Sequence, residues 1–229
     1  MKLSVLMPIY NEAATLTSAV ERVLEVDYPC EMELVLVDDG STDGTAKLIE
    51  ELDDPRLVKH THAVNSGKGA AVRTAVGLAT GEYVIICDAD LEYTPSDIPA
   101  LLAPVLRGEA QVVFGTRSFG SHTAYSFWYV MGNKAVTLAA NVLFNAWLSD
   151  LETCFKLMPL TLYRDLDLHE NGFGVEPEIT AKLLKRNVRP YEVPINYQAR
   201  GREQGKKLTW RDGVKALWVL ARIRFVASP

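Results

Sequence analysis

The chain has 229 residues, 48% hydrophobic and 23% charged, with 15 glycines and 11 prolines. That balance excludes collagen-like, low-complexity and wholly disordered chains, and the length suffices for a sizeable core. Net charge is −5, which excludes a nucleic-acid binder, but residues 200–229 carry eight Lys/Arg against two Asp/Glu, so a tail at +6 follows a body at −11 and asks for an anionic partner at one end of the molecule.

The first half alternates strand and helix patterns. Leu3-Ser4-Val5-Leu6-Met7-Pro8-Ile9 is a short apolar run stopped by Asn11, and residues 15–25 place Leu16, Ala19, Val20, Val23 and Leu24 at helical spacing. Leu34-Val35-Leu36-Val37 is a buried parallel-strand pattern ended by Asp38-Asp39-Gly40. A helix is predicted over 42–52, a strand over 56–62, a Gly-rich loop over 65–69 and a helix over 70–79. Tyr83-Val84-Ile85-Ile86-Cys87 is another buried strand, ended by Asp88; a helix with Pro95 near its start runs to 106, and a strand covers 111–114. Repeated βα units predict a parallel sheet with helices on both faces. After Gly115 the pattern changes to a long apolar helix over 127–148, strands over 153–158 and 191–197, a helix over 177–185, a polar loop over 200–207 and a helix over 209–225.

Cys30, Cys87 and Cys154 have no metal-ligand spacing and are expected to behave as small apolar side chains in a reducing compartment. Met1-Lys2 leads straight into a strand-like run, which predicts no signal peptide. The nearest candidate for a membrane span, 135–148, is short and contains Asn141 and Asn145, so a soluble or peripheral protein is expected.

Three polar clusters fall at strand ends, where open parallel sheets bind ligands: Tyr10-Asn11-Glu12, Asp38-Asp39-Gly40-Ser41 and Asp88-Ala89-Asp90. Converging carboxylates repel unless a cation or hydrogen-bond donors offset them. Asp88 and Asp90 can turn toward one ion with Glu92 as a third oxygen ligand, a set suited to Mg²⁺ or Mn²⁺; a solvated acidic turn is the bland alternative. Asp38 and Asp39 can accept from a base or ribose, while Ser41 or Thr42 could cap the following helix with Gly40 making the turn. Asn65-Ser66-Gly67-Lys68-Gly69 is either a phosphate cradle or a plain turn into a helix. It lacks P-loop spacing, and the chain has no G-x-G-x-x-G, which argues against a dinucleotide oxidoreductase.

These motifs, with Met7-Pro8-Ile9-Tyr10-Asn11-Glu12 and Gly115-Thr116-Arg117, stand in the order seen in family 2 glycosyltransferases. The later Ser149-Asp150-Leu151-Glu152-Thr153-Cys154-Phe155-Lys156 and Phe173-Gly174-Val175-Glu176 resemble its polyprenyl-phosphate branch, typified by dolichol-phosphate mannose synthase. The resemblance implies an α/β glycosyltransferase A fold: a mostly parallel central sheet flanked by helices, with a Rossmann-like nucleotide-binding half and an acceptor half. It also implies a divalent cation, a nucleotide-sugar donor (GDP-mannose, then UDP-glucose) and inversion at the anomeric carbon. Under it, residues 1–199 are the catalytic domain, with a nucleotide-sugar half over 1–117 and an acceptor half over 118–199, and 200–229 are a basic loop and amphipathic helix.

Carried over by resemblance, Pro8, Tyr10, Glu12, Asp38, Asp39, Lys68, Asp88, Ala89 and Asp90 bind the nucleotide sugar; Asp88, Asp90 and Glu92 hold the metal; and Arg117, Lys134, Arg200, Arg202 and Lys206 meet the acceptor phosphate. Asp90, Asp150, Arg117 and Arg202 are the expected catalytic set. A polyprenyl phosphate is already an anion and needs no base, which leaves Asp150 and Glu152 to orient the sugar or a basic side chain, whereas a hydroxyl acceptor would make Asp150 the general-base candidate. Trp210, Val214, Leu217, Trp218 and Ala221, interleaved with Arg211, Lys215 and Arg222, suit an anionic membrane surface or a helix docked on the body. The expectation is peripheral association with the cytoplasmic face of a membrane, with room for a membrane-protein partner. The alternatives are transfer to a soluble saccharide or small hydroxyl acceptor, and a nucleotide-binding module without turnover.

Overall fold

The computed structural model describes residues 1–120, 126–199 and 210–226. In chain order the elements are β1 (Lys2–Ile9), α1 (Leu16–Leu24), β2 (Glu31–Asp38), α2 (Thr45–Glu51), β3 (Leu57–Thr61), α3 (Lys68–Leu78), β4 (Tyr83–Ile86) and α4 (Ile98–Leu106), the last preceded by a 3-10 turn at Pro95–Asp97. There follow β5 (Val113–Thr116), α5 (Phe127–Phe144), β6 (Lys156–Pro159), α6 (Leu160–Asp165), α7 (Val175–Lys185), β7 (Tyr191–Pro194) and α8 (Trp210–Phe225).

The strands form one sheet in the order β3-β2-β1-β4-β6-β5-β7. β1 lies parallel to both β2 and β4, β2 to β3, and β5 to β7. Leu34, Val35, Leu36 and Val37 are fully buried, as a strand covered on both faces requires. At the edge, β3 exposes Lys59 and His60, charge placed where an unpaired strand must stay soluble. Parallel pairing does not extend throughout: β6 runs antiparallel between β4 and β5. The sheet begun by the first half is thus completed by β6 and β7 from beyond residue 117, and both parts share one core. The order reverses between β1 and β4, which makes their carboxyl ends the switch point where such sheets bind ligands.

A second cluster joins α5, α7 and α8 through Val136, Ala140, Phe144, Leu148, Leu151, Ala181, Leu184, Ala216, Val219, Leu220 and Ile223. α8 is therefore docked on the body by its inner face. α5 stops at Phe144, short of the predicted 148, because Asn145 takes a left-handed conformation with φ 48 and the Asn141 amide is occupied by the backbone of Leu148. Outward, α5 and the turn after it expose Phe127, Trp128, Met131, Leu138, Val142 and Trp147, and α8 exposes Trp210, Val214, Leu217, Trp218 and Phe225. Among the described residues no helix is long and apolar enough to cross a membrane.

Candidate active site

The loops after β1 and β2 are stitched together. Asn11, at φ 51, donates its N–H to Ser41 Oγ (2.9 Å) and accepts from Thr42 N–H (2.8 Å). Ser41 and Thr42 therefore join two loops rather than cap α2, whose N-cap is Gly44 with no side-chain cap. Gly40 makes the expected turn at φ +70, and a Cβ there would lie 2.7 Å from the Asn65 nitrogen, so only glycine fits. Pro8 and Tyr10 are half-buried at this edge. Glu12 Oε2 accepts from the Thr15 hydroxyl at 2.9 Å, which ties its carboxylate to the start of α1.

The paired aspartates have different surroundings. Asp38 is fully buried and faces the Ser41 N–H at 3.3 Å. Asp39 accepts from the Ser66 and Gly67 N–H groups (2.9 and 2.7 Å) and contacts His62 Nδ1 at 2.8 Å. Asp39 thus holds the Gly-rich loop in place, a use the sequence reading did not anticipate. The loop is clamped from the other side too: Gly69 N–H donates to the Asn171 carbonyl at 2.7 Å, and a Cβ on Gly69 would sit 2.0 Å from the Glu170 carbonyl oxygen.

That clamping delivers Lys68 to the β4 edge. Its ammonium lies 2.8 Å from Asp88 Oδ2, 2.7 Å from Glu176 Oε1 and 3.3 Å from Cys154 Sγ. Burial pulls its pKa down, but Asp88, Cys154 and Glu176 outweigh that and hold it well above the ordinary lysine value. The Cys154 thiol also approaches Asp88 Oδ2 at 2.9 Å. It is a polar member of the site, contrary to the apolar role expected of all three cysteines. Cys87 is buried and Cys30 partly so.

Asp90 Oδ1 accepts from the Glu92 N–H at 3.0 Å, and Glu92 Oε2 bonds the Tyr197 hydroxyl. Asp88 is committed to Lys68 and Glu92 to Tyr197, so the expected three-carboxylate set is not assembled; among the described residues no three His, Cys, Asp or Glu side chains form a group able to hold a metal. The donors at the switch point are nonetheless hard oxygens. They fit Mg²⁺ or Mn²⁺ provided that a diphosphate and water complete the shell.

Across the site Arg117 grips Asp150 bidentately, with Nε 2.6 Å from Oδ2 and Nη2 2.8 Å from Oδ1. The Asn133 amide adds a bond to Oδ1 at 3.0 Å, and the Arg117 guanidinium stacks 5.0 Å over the Tyr197 ring. Asp150 is 1% exposed. Burial would raise its pKa, but Arg117 above all, with Asn133, outweighs that and holds it at about 2. A carboxylate so placed is a poor proton acceptor; in this structure it holds Arg117 in place, in line with the expectation that Asp150 orients a basic side chain. Lys134 is exposed, next to Asn133 on α5. Arg200, Arg202 and Lys206 lie outside the described residues.

The family described as Glycosyl transferase family 2 matches over residues 4–166. The chain belongs to this family. Glycosyltransferase AglJ of Haloferax volcanii is 29% identical over 200 residues, covering 86% of this chain and 63% of AglJ. The undecaprenyl-phosphate 4-deoxy-4-formamido-L-arabinose transferase of Proteus mirabilis is 38% identical over 121 residues, covering 51% of this chain and 36% of that one. The chain thus spans less than two thirds of the length of either relative. Among solved structures, glucosyl-3-phosphoglycerate synthase from Mycobacterium tuberculosis in complex with Mn²⁺, UDP and glucosyl-3-phosphoglycerate superposes with a TM-score of 0.75 at 19% identity, over 99% of this chain and 81% of that one. The likeness shows the glycosyltransferase A fold.

Sequence reasoning in this family 2 glycosyltransferase missed the partners that organise the site. Glu176 lies in a quoted motif but was given no role; its signal was two carboxylates, Glu176 and Glu178, in the first turn of α7. Asn133 and Tyr197 carried no local signal, because they reach Asp150 and Glu92 across 17 and 105 positions of sequence.

Proposed function

We propose that the chain transfers a hexose, with inversion, from a nucleotide-diphosphate sugar to a polyprenyl phosphate at the cytoplasmic face of an anionic membrane. The observation that carries the reading is the Arg117–Asp150 pair. The carboxylate that a hydroxyl acceptor would need as a base is spent on Arg117, and a preorganised guanidinium is what a phosphate acceptor needs. The undecaprenyl-phosphate relative supports such an acceptor. Mannose from GDP-mannose is the first choice of donor and glucose from UDP-glucose the second.

On this reading Asp38 and Tyr10 receive the base and ribose, and Lys68 orders Asp88 beside the diphosphate. Asp88 and Asp90 would hold Mg²⁺ or Mn²⁺, which when bound offsets charge on the departing diphosphate. Arg117 orients the attacking phosphate, and Lys134 with Arg200, Arg202 and Lys206 adds positive charge toward it. The exposed aromatic residues of α5 and α8, with Arg211, Lys215 and Arg224, would rest in the headgroup layer, alone or beside a membrane-protein partner.

The test is incubation with GDP-mannose or UDP-glucose, Mn²⁺ or Mg²⁺, and either polyprenyl phosphate or the corresponding alcohol. The expected product is the glycosylated lipid phosphate, with the alcohol inert. Equal use of the alcohol would overturn the phosphate reading.

A further inference from the structure

Between the donor and acceptor sides of the site stands a carboxylate without a task in that scheme. The backbone around Glu152 is pinned on both sides. Lys156 Nζ donates to the carbonyl of Leu151 at 2.9 Å and to that of Thr153. The Leu151 N–H is held by Thr137 Oγ1 at 3.1 Å and the Cys154 N–H by the Tyr93 hydroxyl at 3.0 Å. Two residues before Glu152, Asp150 is locked to Arg117; two residues after it, Cys154 touches Asp88. The backbone of this turn is held, while two side chains on it are not: Thr153 Oγ1 is buried without a partner, and among the described residues no hydrogen bond or ion pair reaches the Glu152 carboxylate. It is neither sealed in the core nor fully exposed. A pinned turn that leaves a part-buried carboxylate unpartnered, next to an unpartnered hydroxyl, has the form of a ligand contact.

We propose that Glu152 reads the donor sugar: its carboxylate accepts hydrogen bonds from hydroxyls of a neutral hexose and rejects a uronic acid at the same place. The inference rests on the proposed donor chemistry but not on the identity of the acceptor. The charges facing Glu152 are Glu176, Lys156, Arg117 and Asp150. Each cation is already assigned: Lys156 to two carbonyls, Arg117 to Asp150 and, on the proposed function, to the acceptor phosphate, and Lys68 beyond them to Asp88 and Glu176. A second carboxylate brought in on a sugar would meet Glu152 and Glu176 with no free counter-charge among the described residues. Hydroxyls, by contrast, supply the donors that Glu152 lacks, and a hydroxyl bound to a carboxylate discriminates strongly because its loss leaves a desolvated charge unpaired.

The experiment is calorimetric titration at pH 8, where the Glu152 carboxylate is ionised, with Mn²⁺ present, of the wild-type chain and of Glu152→Gln with GDP, GDP-mannose, UDP, UDP-glucose and UDP-glucuronate. Glu152→Gln should weaken the preferred neutral nucleotide sugar by roughly tenfold or more and leave the parent nucleoside diphosphate unchanged. The wild-type chain should prefer UDP-glucose to UDP-glucuronate, and the substitution should narrow that preference; Glu152→Asp should retain part of it. A merely structural residue would move nucleotide and nucleotide sugar together, and that result, or unchanged sugar binding, overturns the proposal. If the wild-type chain binds neither GDP-mannose nor UDP-glucose, the donor reading falls as well. Binding with the expected discrimination but no transfer to polyprenyl phosphate would leave Glu152 in this role and remove only the acceptor.

Discussion

The two sides of the site are held by different means. On the side proposed for the donor, carboxylates at the ends of β2 and β4 are fixed by backbone amides: Asp38 by Ser41, Asp39 by Ser66 and Gly67, Asp90 by Glu92. On the side proposed for the acceptor, the Asp150 carboxylate is held by the side chains of Arg117 and Asn133 and supported by helices that pack on one another. A hold spread over several backbone amides makes the proposed donor side less sensitive to a single side-chain change. The acceptor side concentrates its energy in one buried ion pair, where removing either partner leaves a charge in the interior.

Asp150→Ala should therefore do the most damage. Freeing a buried guanidinium costs on the order of 3–5 kcal/mol, readable by chemical denaturation, with transfer reduced to background while nucleoside diphosphate binding survives. The folded Asp150 pKa of about 2 lies below the ordinary value of 3.8. Its contribution to stability is thus present above pH 3.8 and lost as pH falls through about 2, so no activity limb between pH 5 and 9 should belong to it. Lys68→Met comes next. It removes the cation between Asp88 and Glu176 but keeps bulk, and should weaken nucleotide-sugar binding by about 10- to 100-fold. An equal loss of acceptor use at saturating donor would blur the two sides. Gly69→Ala tests the loop clamp: with Cβ 2.0 Å from the Glu170 oxygen the backbone must move, at a cost of about 1–3 kcal/mol, and donor affinity should fall with it.

The same contrast explains what was legible in the sequence. Leu34-Val35-Leu36-Val37 and Tyr83-Val84-Ile85-Ile86 announce buried strands, and the polar residues that end them announce a ligand edge, because chain order and space coincide in βα units. The fold, and the gathering of these polar residues at one sheet edge, followed from that. The antiparallel β6 did not, since nothing local marks Lys156–Pro159 as entering between β4 and β5. The hold of Asp39 on the Gly-rich loop was not legible because its partners, Ser66 and Gly67, sit in the next loop but one. Cys154 was misread because a thiol at 8% exposure looks apolar in sequence until Asp88 and Lys68 are set beside it. The α5–α8 face was legible as amphipathic; its inner side is the contact with the body, and its outer aromatics remain the surface on which the membrane reading stands. Trp210→Ala with Trp218→Ala should lower sedimentation with anionic vesicles about tenfold at low salt, leaving nucleoside diphosphate affinity unchanged. Loss of the protein's thermal transition instead would assign these rings to packing.

The smallest effect has the opposite sign and separates binding from stability. Burial first, and then the neighbouring Glu176, push the Glu152 carboxyl up to about 7, against the pull of Lys156 and Arg117. Raised above the unfolded value near 4.5, it holds a proton in the folded chain that the unfolded chain has lost. Stability therefore falls as pH rises from about 4.5 to 7 and is lowest above that window. Glu152→Gln removes the ionisation, so the variant should be more stable than wild type at pH 8 by about 1–2 kcal/mol after allowance for solvent screening. The difference should vanish near pH 4.5, which paired denaturation curves at the two pH values would show. A variant that is firmer at neutral pH yet poorer at holding a nucleotide sugar would mark Glu152 as a residue kept for its ligand. A variant less stable at pH 8 would mean that Glu152 has a structural partner, and the division between a scaffolded donor side and an ion-paired acceptor side would have to be redrawn through it.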